Sequence, residues 1–372
     1  MSDAASATVG ADTPAVAPGA QDRFYPIRRV LEAVLAPLAA LAGALAIFSV
    51  FLLFLGQSPG DFFYLVWRGA FGSWFSLQNT LQKAAPLLLT ALCVAIPGQL
   101  GLVIIGGEAA VVLGGLAATV AALPLVHTSP YLVWAAMALA GAAMGAFWIG
   151  ISGYLRARLG VNETIVSLVL AYIGLALFNH FVEGLLRDPA SLNKPSTYGI
   201  GDANMLGNVP YFDVHPGLPV GVLACLLCWV LIYRTSLGFA GRVTGGNMRA
   251  AQLQGLPVAR LMIMACALGG AFAGLAGTIE VAAEIGRANS SLDAGYGYTG
   301  ILIAFLARFN PLAIMPMALL LGGLTAAGGL LQRRLGLPDA TVQVLQGMIF
   351  VAILTSDTLY GRIRWFQPRG TA

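Results

Sequence analysis

Residues 258–280 read VARLMIMACALGGAFAGLAGTIE, a run whose charges stand only near its ends, at Arg260 and Glu280. About 20 apolar residues in helical form cross a hydrocarbon layer, and this run meets that length. Stretches of the same kind recur along the 372-residue chain. Lys and Arg number 20, Asp and Glu 16, together 10% of the residues, while hydrophobic residues make up 58%. A soluble domain carries about 25% charged residues, and so few charges could not cover a water-facing surface. The composition therefore specifies an all-α, polytopic transmembrane helix bundle. It excludes a soluble enzyme, a secreted disulfide scaffold and a nucleic-acid binder.

Working outward from 258–280, the apolar runs predict about ten spans: 32–55, 82–99, 102–124, 131–154, 163–184, 217–233, 258–280, 296–309, 311–330 and 340–358. With the N-terminus inside, the cytoplasmic segments hold Arg23, Arg28, Arg29, Arg156, Arg158, Arg234, Arg242, Arg249, Arg260, Arg308, Arg362, Arg364 and Arg369. The outer segments hold Arg68, Lys83, Arg187, Lys194, Arg287, Arg333 and Arg334. Basic residues concentrate on cytoplasmic loops, so the excess of the first set over the second predicts both termini in the cytoplasm. Glycines at helical spacing, Gly141 with Gly145 and Gly270 with Gly274, supply the small surfaces that helices need to pack in lipid.

The segments between spans divide by composition. Residues 1–22 are small and polar and predict a disordered cytoplasmic leader, followed by a transmembrane domain over 23–360 and a tail over 361–372. Residues 56–81 are rich in Trp, Phe and Tyr, as suits a helix at the membrane interface. Residues 185–216 carry four prolines and predict an outer ordered loop, with or without a short helix. Residues 234–258 hold Arg234, Arg242 and Arg249 and no acid. Within them Asn247 to Leu253 predicts a short helix, set off by Gly245-Gly246 before it and by Gly255 and Pro257 after it. A basic helix there suits docking, or an ordinary inner loop.

Chemistry is sparse. The lysines are Lys83 after Gln82 and Lys194 after Asn193, so the Gly-Lys-Ser/Thr of a phosphate-binding loop cannot be formed. The pair Cys225/Cys228 lies in an apolar run with no His or other Cys nearby, which predicts inert packing and no metal site. Acids at membrane depth are costly and mark function by default. Glu108, in LVIIGGEAAVVLGG, is the deepest; Glu280 lies near the outer end of its span, with Glu284 more simply placed in headgroup water. Asn162 and Glu163 read as a helix cap and a dipole partner. An ion-coupled secondary carrier and a polytopic membrane enzyme are the alternative classes. The first would want several acids at mid-depth, the second catalytic acids in a large outer loop.

The stretch GGNMRAAQLQGLPVARLMIMACALGGAFAGLAGTIEVAAEIGR, followed by DAGYGYTGILIAFLARFNPLAIMPMALLLGGL, resembles the inner-membrane permease subunits of ABC importers for simple sugars and nucleosides. The matching positions are Gly245/Gly246-Asn247, Arg249-Ala250-Ala251, Gly255, Gly274-Leu275-Ala276-Gly277, and Gly295-Tyr296-Gly297 to Gly300-Ile301. A weaker likeness covers NTLQKAAPLLLTALCVAI and NETIVSLVLAYI, so that it extends over about 79–358. Where the family pattern expects Asn-Ile-Gly-x-Glu-Gly-Gln this chain has Ile104-Ile105-Gly106-Gly107-Glu108-Ala109-Ala110, and an expected arginine and asparagine are Gln99 and Ala171.

The resemblance implies a subunit of a bacterial cytoplasmic-membrane importer that hydrolyses nothing itself. A separate cytoplasmic ABC ATPase would bind ATP and Mg and grip a coupling segment at about 241–256, through Asn247, Arg249, Ala250, Ala251 and Gly255. A periplasmic or lipid-anchored binding protein would deliver the solute. A second permease, identical or homologous, would complete the pathway, with the longer chain of such systems favouring a heterodimer. For the solute path the candidates are Asn79, Glu108 and Glu280.

Overall fold

A computed structural model of the chain describes residues 25–191, 194–209, 213–338 and 340–359, with side chains between 38 and 356 of those ranges. The expected leader over 1–22 and tail over 361–372 lie outside the described residues. Thirteen α-helices and no β-strand are present among the described residues.

The first two helices, α1 (Tyr25–Phe54) and α2 (Pro59–Ala70), are bent by 114° across a short break. Ser58 produces the turn: its Oγ accepts from the Asp61 N–H at 3.4 Å, and Pro59 takes the first helical position, where its missing N–H costs nothing. The rings of Phe48 and Phe62, 5.1 Å apart, pack the two arms together. Trp67 and, beyond the next break, Trp74 and Phe75 stay exposed. The aromatic segment 56–81 thus comprises α2 and the opening turns of α3 (Trp74–Gly98), which begins earlier than the predicted span.

Next come α4 (Gly107–Ala122), α5 (Pro130–Leu159), α6 (Glu163–Glu183) and α7 (Gly217–Arg234). After α8 (Ser236–Gly246) and α9 (Met248–Leu253) the chain enters α10 (Val258–Glu280), α11 (Tyr296–Leu306), α12 (Pro311–Leu335) and α13 (Ala340–Leu359). Among the described residues seven helices are long and apolar enough to cross a membrane, or eight if the bent α1–α2 pair is one span. Of the remainder, α13 offers a shorter apolar stretch, Ala340–Ser356. At 1.5 Å per residue α11 reaches only about 16 Å, half of a hydrocarbon layer of about 30 Å.

The predicted span 102–124 differs from the structure. Gly101 turns left-handed at φ +75°, residues 102–105 are non-helical, and helix resumes only at Gly107. The non-helical piece is held by α6: Thr164 donates its hydroxyl to the Val103 carbonyl at 3.0 Å, and Ile105 donates its N–H to Ser167 Oγ at 3.0 Å. Apolarity alone cannot register this, because the segment is as apolar as a helix would be.

The bundle is organised on α10. A methyl group on Gly274 would run into the Gly141 carbonyl, on Gly270 into that of Gly145, and on Gly277 into that of Val111. Backbones of α10, α5 and α4 therefore touch directly, the close approach that small residues permit where lipid competes for every apolar surface. Cys93, Cys225, Cys228 and Cys266 are buried thiols within this packing. Asn162 caps α6, its Oδ1 accepting from the Thr164 and Ile165 N–H groups, and Glu163 pairs with Arg156 at 3.2 Å. The described part of segment 185–216 is docked: Thr197 and Ile200 donate to the Ala288 and Gly286 carbonyls, and Trp134 Nε1 donates to the Asn204 carbonyl.

Candidate functional site

The short helix α11 and the late-starting α4 meet N-terminus to N-terminus, alongside the interior of α3. Gly107 approaches Gly297 and Cys93, and Gly300 packs on Thr90. Glu108, 0% exposed, lies at this junction. Its Oε1 accepts from the Gly295 N–H at 2.8 Å and its Oε2 from the Gly297 N–H at 2.5 Å. Helix N-termini carry unpaired N–H groups and partial positive charge, and one carboxylate satisfies two of those belonging to α11. Both glycines are required by geometry. Gly295 sits at φ +79°, and a β-carbon on Gly297 would come within 2.6 Å of the Glu108 Cα.

Glu280, another solute-path candidate, belongs to a second cluster that includes Tyr296 at the start of α11, and Asn79 lies one helical turn from its lysine. Lys83 Nζ on α3 donates to Glu284 at 2.7 and 3.0 Å and to the Tyr296 hydroxyl at 3.2 Å. Glu284 is therefore ion-paired, where the sequence reading placed it in headgroup water. It belongs to a π-turn, Val281–Ile285, that extends α10. Glu280 is buried beside Glu284 and Tyr296. Asn79 is half-buried one helical turn before Lys83.

His215 sits near this cluster, in the loop ahead of α7, and accepts at Nδ1 from the Gly217 N–H at 3.1 Å. Burial lowers its pKa from 6.5; the Glu284 charge opposes the shift and Lys83 adds to it. Above pH 6.5 the imidazole is neutral whether the chain is folded or unfolded. Below it the unfolded chain takes up a proton that the folded site resists, so stability falls with pH. Thermal unfolding of the detergent-solubilised protein is expected to lose more Tm between pH 6.5 and 5.5 than His215→Asn, whose amide oxygen can replace Nδ1. Equal pH slopes would remove the assignment.

Between α11 and α13 lies an open groove of about 650 Å³, continuous through Thr299, Gln343 and Gln346 with a smaller cavity of about 330 Å³ that reaches Lys83. The non-helical Val103, Ile105 and Asp293–Gly295 form part of its wall. Irregular backbone at membrane depth is tolerated where it is buried in protein or lines a watery cavity. The α13 side of the groove repeats at helical spacing: Gln343, Gln346, Gly347 and Phe350. None of these four was singled out in the sequence, although two glutamines three apart in an apolar span are a readable signal.

At the other end of the bundle, α9 forms a protruding turn. Asn247 caps it, Oδ1 accepting from the Ala250 N–H at 3.1 Å, and Gly255 closes it at φ +79°. Ala251 is fully buried and packs inward against its own chain, while Ala250 is half-buried. Asn247, Arg249 and Gln252 are exposed, and Leu253 is 90% exposed. Arg249 makes no hydrogen bond or ion pair among the described residues, whereas Arg234 and Arg242 stack on Trp229 and Tyr233. Sequence reading found the arginine and missed the leucine. Beneath this turn Gly245 abuts the Gln99 carbonyl, and Gln99 Nε2 donates to the Phe309 carbonyl at 2.8 Å, just past α11.

Residues 76–354 match the family described as branched-chain amino acid transport system / permease component. The glucose ABC transporter permease protein TsgB13 of Haloferax volcanii is 34% identical over 89% of this chain and 90% of that protein. The guanosine ABC transporter permease protein NupP of Bacillus subtilis (strain 168) is 30% identical over 88% of this chain and 94% of its own length. NupQ, a second guanosine permease protein of the same organism, is 24% identical over 76% of this chain and 91% of its own length. These relatives are permease subunits, and in such systems the ATPase is a separate subunit. With its polytopic bundle and its match from α3 into α13, the chain belongs to the branched-chain amino acid transport system / permease component family.

Proposed function

We propose that this chain forms half of the solute pathway of an ATP-driven importer in a bacterial cytoplasmic membrane, moving nucleosides or related small polar solutes such as sugars. The exposed Arg249, unpaired among the described residues, beside the exposed Leu253 on α9 is the observation that carries it, because a chain whose sequence holds no phosphate-binding loop needs a handle for an engine. Asn247 shapes that handle, Gly255 ends it and Ala250 and Ala251 seat it. The ATPase, holding ATP and Mg, docks on 241–256. The bent α1–α2, α3 to α7, α10, the half-length α11 together with the non-helical residues leading into it, α12 and α13 make ten crossings with both termini inside, and residues 185–216 face the binding protein outside.

A second, homologous permease completes the pathway as a heterodimer; two relatives from one organism share a guanosine name, which supports the pairing. Glu280 and Asn79 line the outer part of the path, with Lys83 and Glu284. Glu108 serves it by fixing α11 rather than by touching solute. Nucleotide-driven movement of α9 passes through Gln99 to the inner end of α11, biasing the pathway between outward and inward access. Proteoliposomes holding both permeases and the ATPase, given binding protein and internal ATP, are expected to accumulate solute with the ion gradients collapsed. Accumulation by the permeases alone would overturn the reading.

A further inference from the structure

The groove between α11 and α13 carries an assignment that no family likeness supplies. Gln346 is 7% exposed, yet its amide makes only long contacts: Oε1 accepts from Thr299 Oγ1 at 3.5 Å and Nε2 donates to Thr325 Oγ1 at 3.4 Å. Both lie at the outer limit of hydrogen bonding, so a buried carboxamide with two donors and a two-lone-pair acceptor retains capacity toward the groove. Gln343, one turn back, is exposed into the same space. The apolar wall is aromatic. Phe305 and Phe350 meet edge to face with ring centres 5.7 Å apart, and Tyr298 stands 40% exposed at the groove. A cavity of about 650 Å³ falls in the range of small-molecule sites, which combine apolar walls with a few polar groups.

We propose that this groove is a solute subsite of the permease, taking a neutral nucleoside: Thr299, Gln343 and Gln346 hydrogen-bond the sugar hydroxyls, and the base stacks against Phe350 and Tyr298. Carboxamides and hydroxyls both donate and accept, which suits hydroxyl groups, and they offer no positive charge to a phosphate. Asp293 on the wall repels one. Stacking on aromatic rings tolerates any base, so the subsite selects the class and leaves finer choice to the binding protein. A plain hexose would use the amides alone.

The inference rests on the importer reading above, and the test separates the two. Complete importer in proteoliposomes is supplied with binding protein and with tritiated uridine, guanosine or glucose; uptake and binding-protein-stimulated ATP hydrolysis are both measured. Gln346→Leu and the milder Thr299→Val are expected to lower nucleoside uptake about ten-fold and about three-fold, with stimulated hydrolysis retained. Phe350→Leu is expected to lower nucleoside uptake about ten-fold and glucose uptake, where the wild type shows it, less than two-fold. Normal nucleoside uptake by Gln346→Leu and Phe350→Leu would overturn the subsite and leave the importer reading intact. A wild-type importer that carries none of the three probes would overturn both. If Gln346→Leu fails to reach the membrane, Gln343→Leu, on an exposed position, decides in its place by the same criterion.

Discussion

Arg249→Glu is expected to cut ATP-driven uptake at least about thirty-fold while the protein reaches the membrane in normal amount. The side chain is exposed and has no hydrogen bond or ion pair among the described residues, so its reversal disturbs nothing in the permease fold. At an interface, replacing one member of a close charge pair costs about 2–5 kcal/mol, and 1.4 kcal/mol is a factor of ten. Leu253→Asp should act alike: Leu253 is 90% exposed beside Arg249 on the protruding turn, and a leucine that a partner's pocket covers contributes about 1.5–3 kcal/mol. Asn247→Ala should be milder, since a lost helix cap costs about 1 kcal/mol and leaves the contacting side chains in place. The measurements are ATPase co-purification and solute uptake. Co-purification at the wild-type level in both Arg249→Glu and Leu253→Asp would dismiss α9 as the docking element.

The order of effects follows from how α9 is built. Six helical residues cannot hold themselves together in water. Asn247 closes the first turn, Ala251 seats the helix on the bundle and Gly255 ends it. The residues that fix its position are thus distinct from those that face outward. Sequence reading brackets the helix correctly, because glycine and asparagine punctuate the backbone locally. It assigns Ala250 and Ala251 to the partner's side, because burial depends on which way a six-residue helix rolls.

The same division of local and distant information runs through the solute path. Glu108 is conspicuous in the sequence as an acid in an apolar run, yet its partners lie 187 and 189 residues later. Lys83 and Glu284 are 201 residues apart, and each alone reads as a surface charge. Asn162, by contrast, caps its own first turn as the sequence reading expects, while Glu163, read as a dipole partner, also pairs with Arg156 of the preceding helix. Gln343 and Gln346 escape a search built on the cost of charge, since a neutral amide in an apolar span is cheaper and common at helix contacts. Only the groove beside them gives them meaning. The seven or eight membrane-length helices among the described residues were legible from length and apolarity, whereas the non-helical piece at 102–105 and the shortness of α11 depend on what the neighbouring helices leave room for.

The strongest test of that arrangement is the Glu108 latch. Glu108→Ala leaves the buried Gly297 N–H unbonded, at about 1–3 kcal/mol, and the half-buried Gly295 N–H unbonded at less, against a total stability of about 5–15 kcal/mol. The apparent Tm in detergent is expected to fall by more than about 5 °C. Glu108→Gln retains one acceptor oxygen and turns an amide N–H toward the second donor, so it should fall between alanine and wild type. Gly297→Ala attacks the same junction sterically: the added methyl overlaps the Glu108 backbone, so α11 must withdraw from α4. Overpacking of that kind costs about 1–3 kcal/mol, and here it also lengthens both carboxylate bonds. Because α11 walls the solute groove, the two lesions should also reduce uptake per folded molecule by about ten-fold, and combining them should cost less than the sum of the single losses. Strict additivity of the double variant, or a Glu108→Ala protein as stable as wild type, would show that the carboxylate does not hold α11 in place.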